Sequence, residues 1–343
     1  MSRNLKNFLC ELSLSKILPE HDYLFNLANN CSSLLENEKN NYRVAAENDS
    51  LGALLDFTSP EIKRLPVIIV PDIHARAYFL MHILEFMLPH DFVVSDDGNE
   101  LTVFDAIMLQ KVQVVCVGDL LHSEIRGKSR WLKALKEFNS HNFTGPEITS
   151  EMMEGLSLLS MIMELKLAFS GNFHILKGNH ENIMNEYGEG NFPFHKFANE
   201  GEIVRSFIHE YYGDDVLMVI SCFEKALPLI AAFPECVVSH AEPSECFSRQ
   251  QLINGISDEK VVSGLTWTPN DIVVKDTCSR IIMELTGNPE GLYFGGHRPI
   301  AGTCTYRQGG KYIQLHNPDR EFITLIYNDR IFDPDKDIMD VAK

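Results

Sequence analysis

Asp72 and His74 stand two residues apart, just after the apolar run Val67-Ile68-Ile69-Val70. On extended backbone, residues i and i+2 point the same way, so both side chains can reach one cation. Asp119 follows the apolar run 112–117 and Gly118, and its two carboxylate oxygens can bridge two cations. Asn179, after the run 173–176 and Lys177-Gly178, offers a neutral amide oxygen. His240, after Cys236-Val237-Val238-Ser239, and His297, after Leu292-Tyr293-Phe294-Gly295-Gly296, offer imidazole nitrogens. This mix of oxygen and nitrogen donors suits Mn, Fe or Zn better than Ca or Mg. Two such cations about 3.5–4 Å apart can acidify a water and neutralise phosphoryl oxygens. A positioned acid then protonates the leaving oxygen, and His180, beside Asn179, is placed to be that acid. A single histidine of this kind is most often structural. Five apolar runs that each end in metal-ligand residue types are hard to obtain by chance.

The elements that must position these residues follow from hydrophobic pattern. Short runs of β-branched and aromatic residues bounded by Gly or Pro predict buried strands. Helical periodicity over 77–88, 129–138, 149–169 and 202–212 alternates with them, which implies an α/β layer structure. Ligands in such sheets bind at the carboxyl ends of strands. Asp97-Gly98, between the apolar stretches 92–94 and 101–104, predicts a β-hairpin. The stretches 311–315 and 321–327 flank Asn317-Pro318-Asp319 and predict a second one, so the strand pairing is expected to be mixed. Residues 1–60 are expected to form a helical N-terminal extension, with a helix over 22–35. The acidic stretch 331–343 is expected to be a mobile tail.

The chain has 343 residues, 45% of them hydrophobic, and a net charge of −18. The charge argues against a nucleic-acid partner, because phosphate backbones need clustered Lys and Arg. It does not exclude a phosphorylated substrate, since bound cations reverse the local field. None of the eight cysteines forms a CxxC pair, so reduced, mostly buried thiols in the cytoplasm are expected. No run approaches the ~20 apolar residues of a membrane span, and no cleavable signal peptide is visible. A soluble protein is expected. Oligomeric state is not legible.

Asp72-Ile73-His74, Gly118-Asp119, Gly178-Asn179-His180-Glu181, His240 and Gly296-His297 together resemble the motifs of the calcineurin-like metallophosphoesterases. The resemblance is closest to the phosphoprotein phosphatase branch. It extends over 220–232, which is similar to the family segment leading to its first metal-binding histidine, and to Trp267 between the two histidines. Residues 65–328 are covered. The resemblance implies a central two-sheet β-sandwich of mixed strands flanked by helices. It implies one metal on Asp72, His74 and Asp119, and a second on Asp119, Asn179, His240 and His297, with Mn the first expectation and Fe or Zn as alternatives. It implies hydrolysis of a phosphomonoester by direct attack of a metal-bridging hydroxide, with no phosphoenzyme. The implied substrate is a protein carrying phosphoserine or phosphothreonine, with phosphotyrosine a further option.

The departures are specific. Pro71 and Ala75 replace the glycines around Asp72 and His74. His122 and Ser123 replace the family's aspartate, which orients the acid histidine, and its phosphate-binding arginine. His122 is therefore expected to hydrogen-bond His180 or a phosphate oxygen. Another arginine must bind phosphate: Arg298 is favoured, with Arg76, Arg126, Arg130 and Arg280 as candidates. Pro299 stands where many broader metallophosphoesterases carry a further histidine, which favours the phosphoprotein phosphatase branch. These departures suggest a divergent bacterial member, of a type sometimes delivered into host cells. A catalytic domain over 61–330 is expected, with a helical insertion at about 124–150 beside the active site, where Trp131, Leu132, Leu135 and Phe138 lie at helical spacing. Two rival functions remain at this level: a dinucleoside-polyphosphate hydrolase, or a catalytically weak phosphoprotein-binding module.

Overall fold

The computed structural model describes residues 2–38, 42–47, 50–270 and 272–342. Among them lie eleven strands: β1 Leu54–Asp56, β2 Val67–Val70, β3 Gln113–Cys116, β4 Phe173–Ile175, β5 Ile230–Ala232, β6 Cys236–Ser239, β7 Leu292–Gly295, β8 Thr305–Arg307, β9 Tyr312–Gln314, β10 Phe322–Ile326 and β11 Ile338–Asp340. They form a five-stranded sheet, β11-β10-β2-β3-β4, and a six-stranded sheet, β1-β5-β6-β7-β9-β8. In the first, β2, β3 and β4 are parallel and β10 and β11 antiparallel. In the second, β6, β7 and β9 are parallel, β5 is antiparallel to β6 and parallel to β1, and β8 is antiparallel to β9.

The period-2 alternation of side chains makes this a sandwich. Val67, Ile69 and Val115 face Ala231, Val238, Phe294 and Ile313 across the inter-sheet core. Ile68, Val70, Val114 and Cys116 face a large helical layer. Ile230, Val237, Tyr293 and Tyr312 face a smaller layer that includes the helices Glu259–Thr266 and Thr277–Thr286. Each fully buried aliphatic side chain contributes about 1.5–3 kcal/mol. Strands buried on both faces are therefore mostly apolar, and the polar side chains they do hold are paired, as His174 is with Gln113 at 3.0 Å.

The N-terminal helix His21–Glu36 buries Leu24, Leu27, Ala28, Cys31 and Leu35 in the large helical core. Buried Arg43 ties this region to the body by donating to the carbonyls of Leu35, Gly52 and Ala226. The 1–60 segment also supplies β1, which pairs with β5. Residues 1, 39–41, 48 and 49 of that segment, and residue 343 at the other end, lie outside the described residues.

Three expectations need correction. The stretches around Asn317-Pro318-Asp319 do not pair: β9 belongs to the six-stranded sheet and β10 to the five-stranded one, so the connection crosses the sandwich. Around the Asp97-Gly98 turn the pairing takes the form of isolated bridges, Val94 to Glu100 and Met87 to Thr102, rather than strands, with the Ser95 N–H donating to Asn99 O at 2.9 Å. Beyond it the chain turns helical over Val103–Met108, because the Thr102 hydroxyl accepts the Asp105 N–H as an N-cap. The acidic C-terminal stretch is ordered as a helix, Pro334–Asp337, and edge strand β11 against β10.

The inserted helix is Lys128–Asn139, and its buried face differs from expectation by one residue. Trp131 and Ala134 are fully buried, whereas Leu132 is 45% exposed. The inward positions 131, 134, 135 and 138 follow i, i+3, i+4, i+7, and Leu132 falls on the outer side. The Glu137 carboxylate from this helix caps the next one, Pro146–Ala168, accepting the N–H groups of Glu147 and Ile148 at 3.1 and 3.0 Å. Trp131→Ala should therefore lower unfolding free energy by about 3–5 kcal/mol, measured by urea denaturation. A loss well under that would mean that the helix is a detachable cover. No helix among the described residues is long and apolar enough to cross a membrane.

Candidate active site

The carboxyl ends of β2, β3, β4, β6 and β7 bring Asp72, His74, Asp119, Asn179, His240 and His297 into one buried cluster. Asp119 is its centre. Its Oδ2 lies 3.4 Å from His240 Nε2, 3.6 Å from His74 Nε2 and 3.7 Å from His180 Nε2. Its Oδ1 accepts the His180 N–H at 3.0 Å. Asn179 Oδ1 lies 3.0 Å from His240 Nε2 and 2.8 Å from His297 Nδ1. Asp72 Oδ2 accepts the His297 N–H at 2.9 Å.

Backbone geometry keeps the turns tight. His74, Asp119 and His297 have φ of 49°, 56° and 65°, a left-handed conformation that costs a non-glycine residue roughly 1–2 kcal/mol. Ala75, at φ 56°, occupies such a position too, which explains why a glycine suits the residue after His74. Gly118 has φ +108°, and a Cβ there would come within 2.5 Å of Gly178 N. The β3 and β4 loops are clamped by Glu181, whose carboxylate accepts the N–H groups of Gly178, Asp119 and Leu120 at 2.7, 2.9 and 2.8 Å. That buried clamp gives the Gly-Asn-His-Glu motif its glutamate.

The donors have the chemistry of a cation site. His240 Nδ1–H donates to Val117 O at 3.0 Å and His74 Nδ1–H to His122 O at 3.1 Å. A carbonyl can only accept, so in the neutral rings both Nε2 lone pairs point into the cluster. Burial holds His74 and His297 down to about 3 and His240 well below the ordinary imidazole range. Burial pushes the Asp72 carboxyl up to about 6. Burial, Glu181 and Asp72 push Asp119 well above the usual carboxylate range. Lone pairs thus face lone pairs at about 3 Å, and Asp72 Oδ1 is buried without a hydrogen-bond partner. Such an arrangement is unfavourable unless positive charge sits among the donors, so the residues fit divalent cations. Asp72, His74 and His316, His74, Asp119 and His180, and Asp72, Asp119 and His240 each place ligand atoms within 4.8 Å of one another.

Next to the cluster, His122 Nδ1 and His180 Nδ1 lie 2.8 Å apart, one donating and the other accepting. Burial lowers both, His122 to about 3. If His122 donates, the His180 proton is left on Nε2, the nitrogen that faces Asp119. Phe194 packs on His180 with ring centroids 3.7 Å apart. Ser123 is fully engaged elsewhere: its N–H and hydroxyl both donate to Glu151, at 2.6 and 2.7 Å.

A cleft of about 210 Å³ opens over these groups, floored by His74, Asp119, Asn179 and His180. Phe194, His195, Lys196, Trp267, His297 and Arg298 also line it. Of the arginines considered, Arg298 is exposed at the cleft, and its guanidinium makes no hydrogen bond or ion pair among the described residues. Arg76 is buried and donates to the carbonyls of Asp72, Ile73, Pro318 and Arg320. Arg130 is held by Glu151 and Glu154, and Arg126 by Glu154 and the carbonyls of His74 and Ala75. Arg280 lies on Thr277–Thr286, away from the cleft.

Sequence reasoning missed three groups. His316 follows β9 by two residues and is fully buried beside Asp72 and Glu124. Its signal is present, a sixth apolar run ending in a ligand type, but the same run also has the pattern of a hairpin arm. Glu124 and Lys196 enter from loops with no local signature; Lys196 Nζ lies 2.8 Å from Glu124 Oε1.

No protein-family model matches the chain, and no curated protein matches it in sequence. Its fold does have a solved counterpart. A protein serine/threonine phosphatase from Saccharomyces cerevisiae aligns over 94% of this chain and 89% of its own, with TM-score 0.56 and 13% identity. The chain has a serine/threonine-phosphatase fold. A cold-active protein-tyrosine phosphatase from a psychrophilic Shewanella aligns at 14% identity over 82% of this chain and 81% of its own, with TM-score 0.46. At 13% identity the yeast likeness shows the fold alone.

Proposed function

We propose that this chain is a dimetal phosphomonoesterase acting on phosphoproteins. The observation that carries the proposal is the buried cluster of electron-rich donors around Asp119 Oδ2, open to a cleft sized for a phosphoryl group and the side chain bearing it. Asp72, His74 and Asp119 would hold one divalent cation, and Asp119, Asn179, His240 and His297 the other. Bound there, the cations would acidify water and offset the charge on the phosphoryl oxygens. Mn is the favoured metal, with Fe and Zn compatible with the same donors.

The chain's own residues supply the rest. His180 would donate a proton to the leaving oxygen, with its ring oriented by the bond to His122. Arg298 and Lys196, which both line the cleft, would hold phosphoryl oxygens, taking the part for which Ser123 is unsuited. The hydrophobic Phe194 and Trp267 would flank the substrate side chain. The small cleft favours a phosphorylated side chain over the long anionic chain of a dinucleoside polyphosphate, and the net charge of −18 points the same way. The intact donor set favours catalysis over phosphoprotein binding alone.

The test is release of phosphate by the Mn²⁺-loaded protein from phosphoserine, phosphothreonine and phosphotyrosine peptides, compared with a diadenosine polyphosphate. Turnover of a phosphopeptide with the higher kcat/KM is the expected result. Turnover of the dinucleotide alone, or binding of phosphopeptide without turnover, would overturn it.

A further inference from the structure

We propose that His316 is a protein ligand of the first cation, alongside Asp72, His74 and Asp119, and that Glu124 is the carboxylate that orients it. This rests on the two-cation reading and adds to it a residue outside the six donors assigned above.

The topology explains how the residue arrives. β7 and β9 are parallel neighbours, so their carboxyl ends open on the same rim. His297 leaves one and His316 the other. His316 is completely buried, and its two ring nitrogens meet different surroundings. Nε2 lies 2.7 Å from Glu124 Oε2. The other oxygen of Glu124 pairs with Lys196 Nζ at 2.8 Å, so this carboxylate is an acceptor and Nε2 must carry the donated hydrogen. Nδ1 is left with no hydrogen-bond partner in a buried position. It lies 3.4 Å from Asp72 Oδ2, and the other oxygen of that carboxylate, Oδ1, is also unpartnered.

Ligand atoms of Asp72, His74 and His316 lie within 4.8 Å of one another, and the His74 and His316 rings are 5.2 Å apart. A histidine whose far nitrogen is held by a carboxylate while its near nitrogen faces metal ligands is the arrangement that fixes ring orientation and raises ligand basicity at metal centres. The contacts give Glu124 the same service for His316 that the Val117 and His122 carbonyls perform for His240 and His74.

A second nitrogen at the first site has a chemical consequence. It tightens that site and moves its preference from hard, oxygen-loving cations toward Zn and Fe. It also leaves one fewer position for water at that cation.

The test is metal binding by the full chain, read by isothermal titration with Mn²⁺ and by the visible spectrum of the Co²⁺ form. Wild type should bind two equivalents. His316→Ala and the bulkier His316→Gln should weaken one site more than about tenfold and leave the other unchanged, with a changed Co²⁺ spectrum. Glu124→Gln should weaken the same site by about 10-fold or more. Far-UV circular dichroism of the metal-free variants controls for folding. Two sites of unaltered affinity and spectrum in the His316 and Glu124 variants would overturn the inference and leave the two-cation reading standing. They would mean an imidazolium that only bridges Asp72 and Glu124. A wild-type chain that binds no cation would overturn both.

Discussion

Asp119→Asn is expected to lower phosphate release about a thousandfold or more while leaving the chain folded. Asp119 Oδ2 lies 3.4–3.7 Å from His74, His180 and His240, and Asp119 is the one donor proposed for both cations. Replacing one oxygen by an amide nitrogen removes the negative charge and one of the two oxygens that would hold the cations. A catalytic cation is worth several kcal/mol of transition-state stabilisation, and each 1.4 kcal/mol is about tenfold in rate. Stability should move the other way. Burial and the neighbouring acids Glu181 and Asp72 raise the Asp119 carboxyl well above its ordinary range, so its ionised form opposes folding in the metal-free protein at neutral pH. The asparagine removes that charge, and its Oδ1 can still accept the His180 N–H. Metal-free Asp119→Asn should therefore unfold at the same temperature as wild type or a higher one. A variant that is inactive because it has lost stability would contradict the role given to this residue.

His180→Ala is the second large effect, expected to cost about 10²–10⁴-fold in turnover of a phosphoserine peptide. The loss should shrink for an aryl phosphate bearing a nitro group, because a nitrophenolate leaves without a proton. Cation content should stay at the wild-type value, since His180 is not among the assigned ligands. Equal losses on both substrates would mean that His180 acts on something other than the leaving oxygen. Loss of a cation would make it a ligand, a role its 3.7 Å distance from Asp119 Oδ2 also permits.

Most of this site could be read along the sequence, for a physical reason. Val67–Val70, Gln113–Cys116 and Phe173–Ile175 are buried on both faces. Their composition is mostly apolar, the exceptions Gln113 and His174 being buried and hydrogen-bonded to each other at 3.0 Å, and Asp72, Asp119 and Asn179 come just after the chain leaves the sheet. In each sheet the strands that precede these residues are parallel, β2-β3-β4 in one and β6-β7 in the other, so their exits converge on one rim and Asp72, Asp119, Asn179, His240 and His297 are legible as a group along the sequence. His316 obeys the same rule and was hidden by a competing local signal. Asn317-Pro318-Asp319 has the composition of a hairpin turn, but here it carries the chain from one sheet to the other.

Side chains whose roles depend on distant partners were not legible. Nothing in the neighbourhood of Glu124 says that it meets Lys196 and His316. Nothing near Arg76 says that its guanidinium is spent on four backbone carbonyls, those of Asp72, Ile73, Pro318 and Arg320. The length of the 124–150 insertion could be read, but its packing could not. Trp131 settles that packing by donating its indole N–H to Ser123 O at 2.8 Å from inside the core.

Anomalous diffraction from crystals of the Mn²⁺-loaded protein tests the central claim most directly. Two peaks are predicted, one against Asp72 and His74, the other against Asn179, His240 and His297, with Asp119 in contact with both. A single peak, or peaks away from Asp119, would contradict the account.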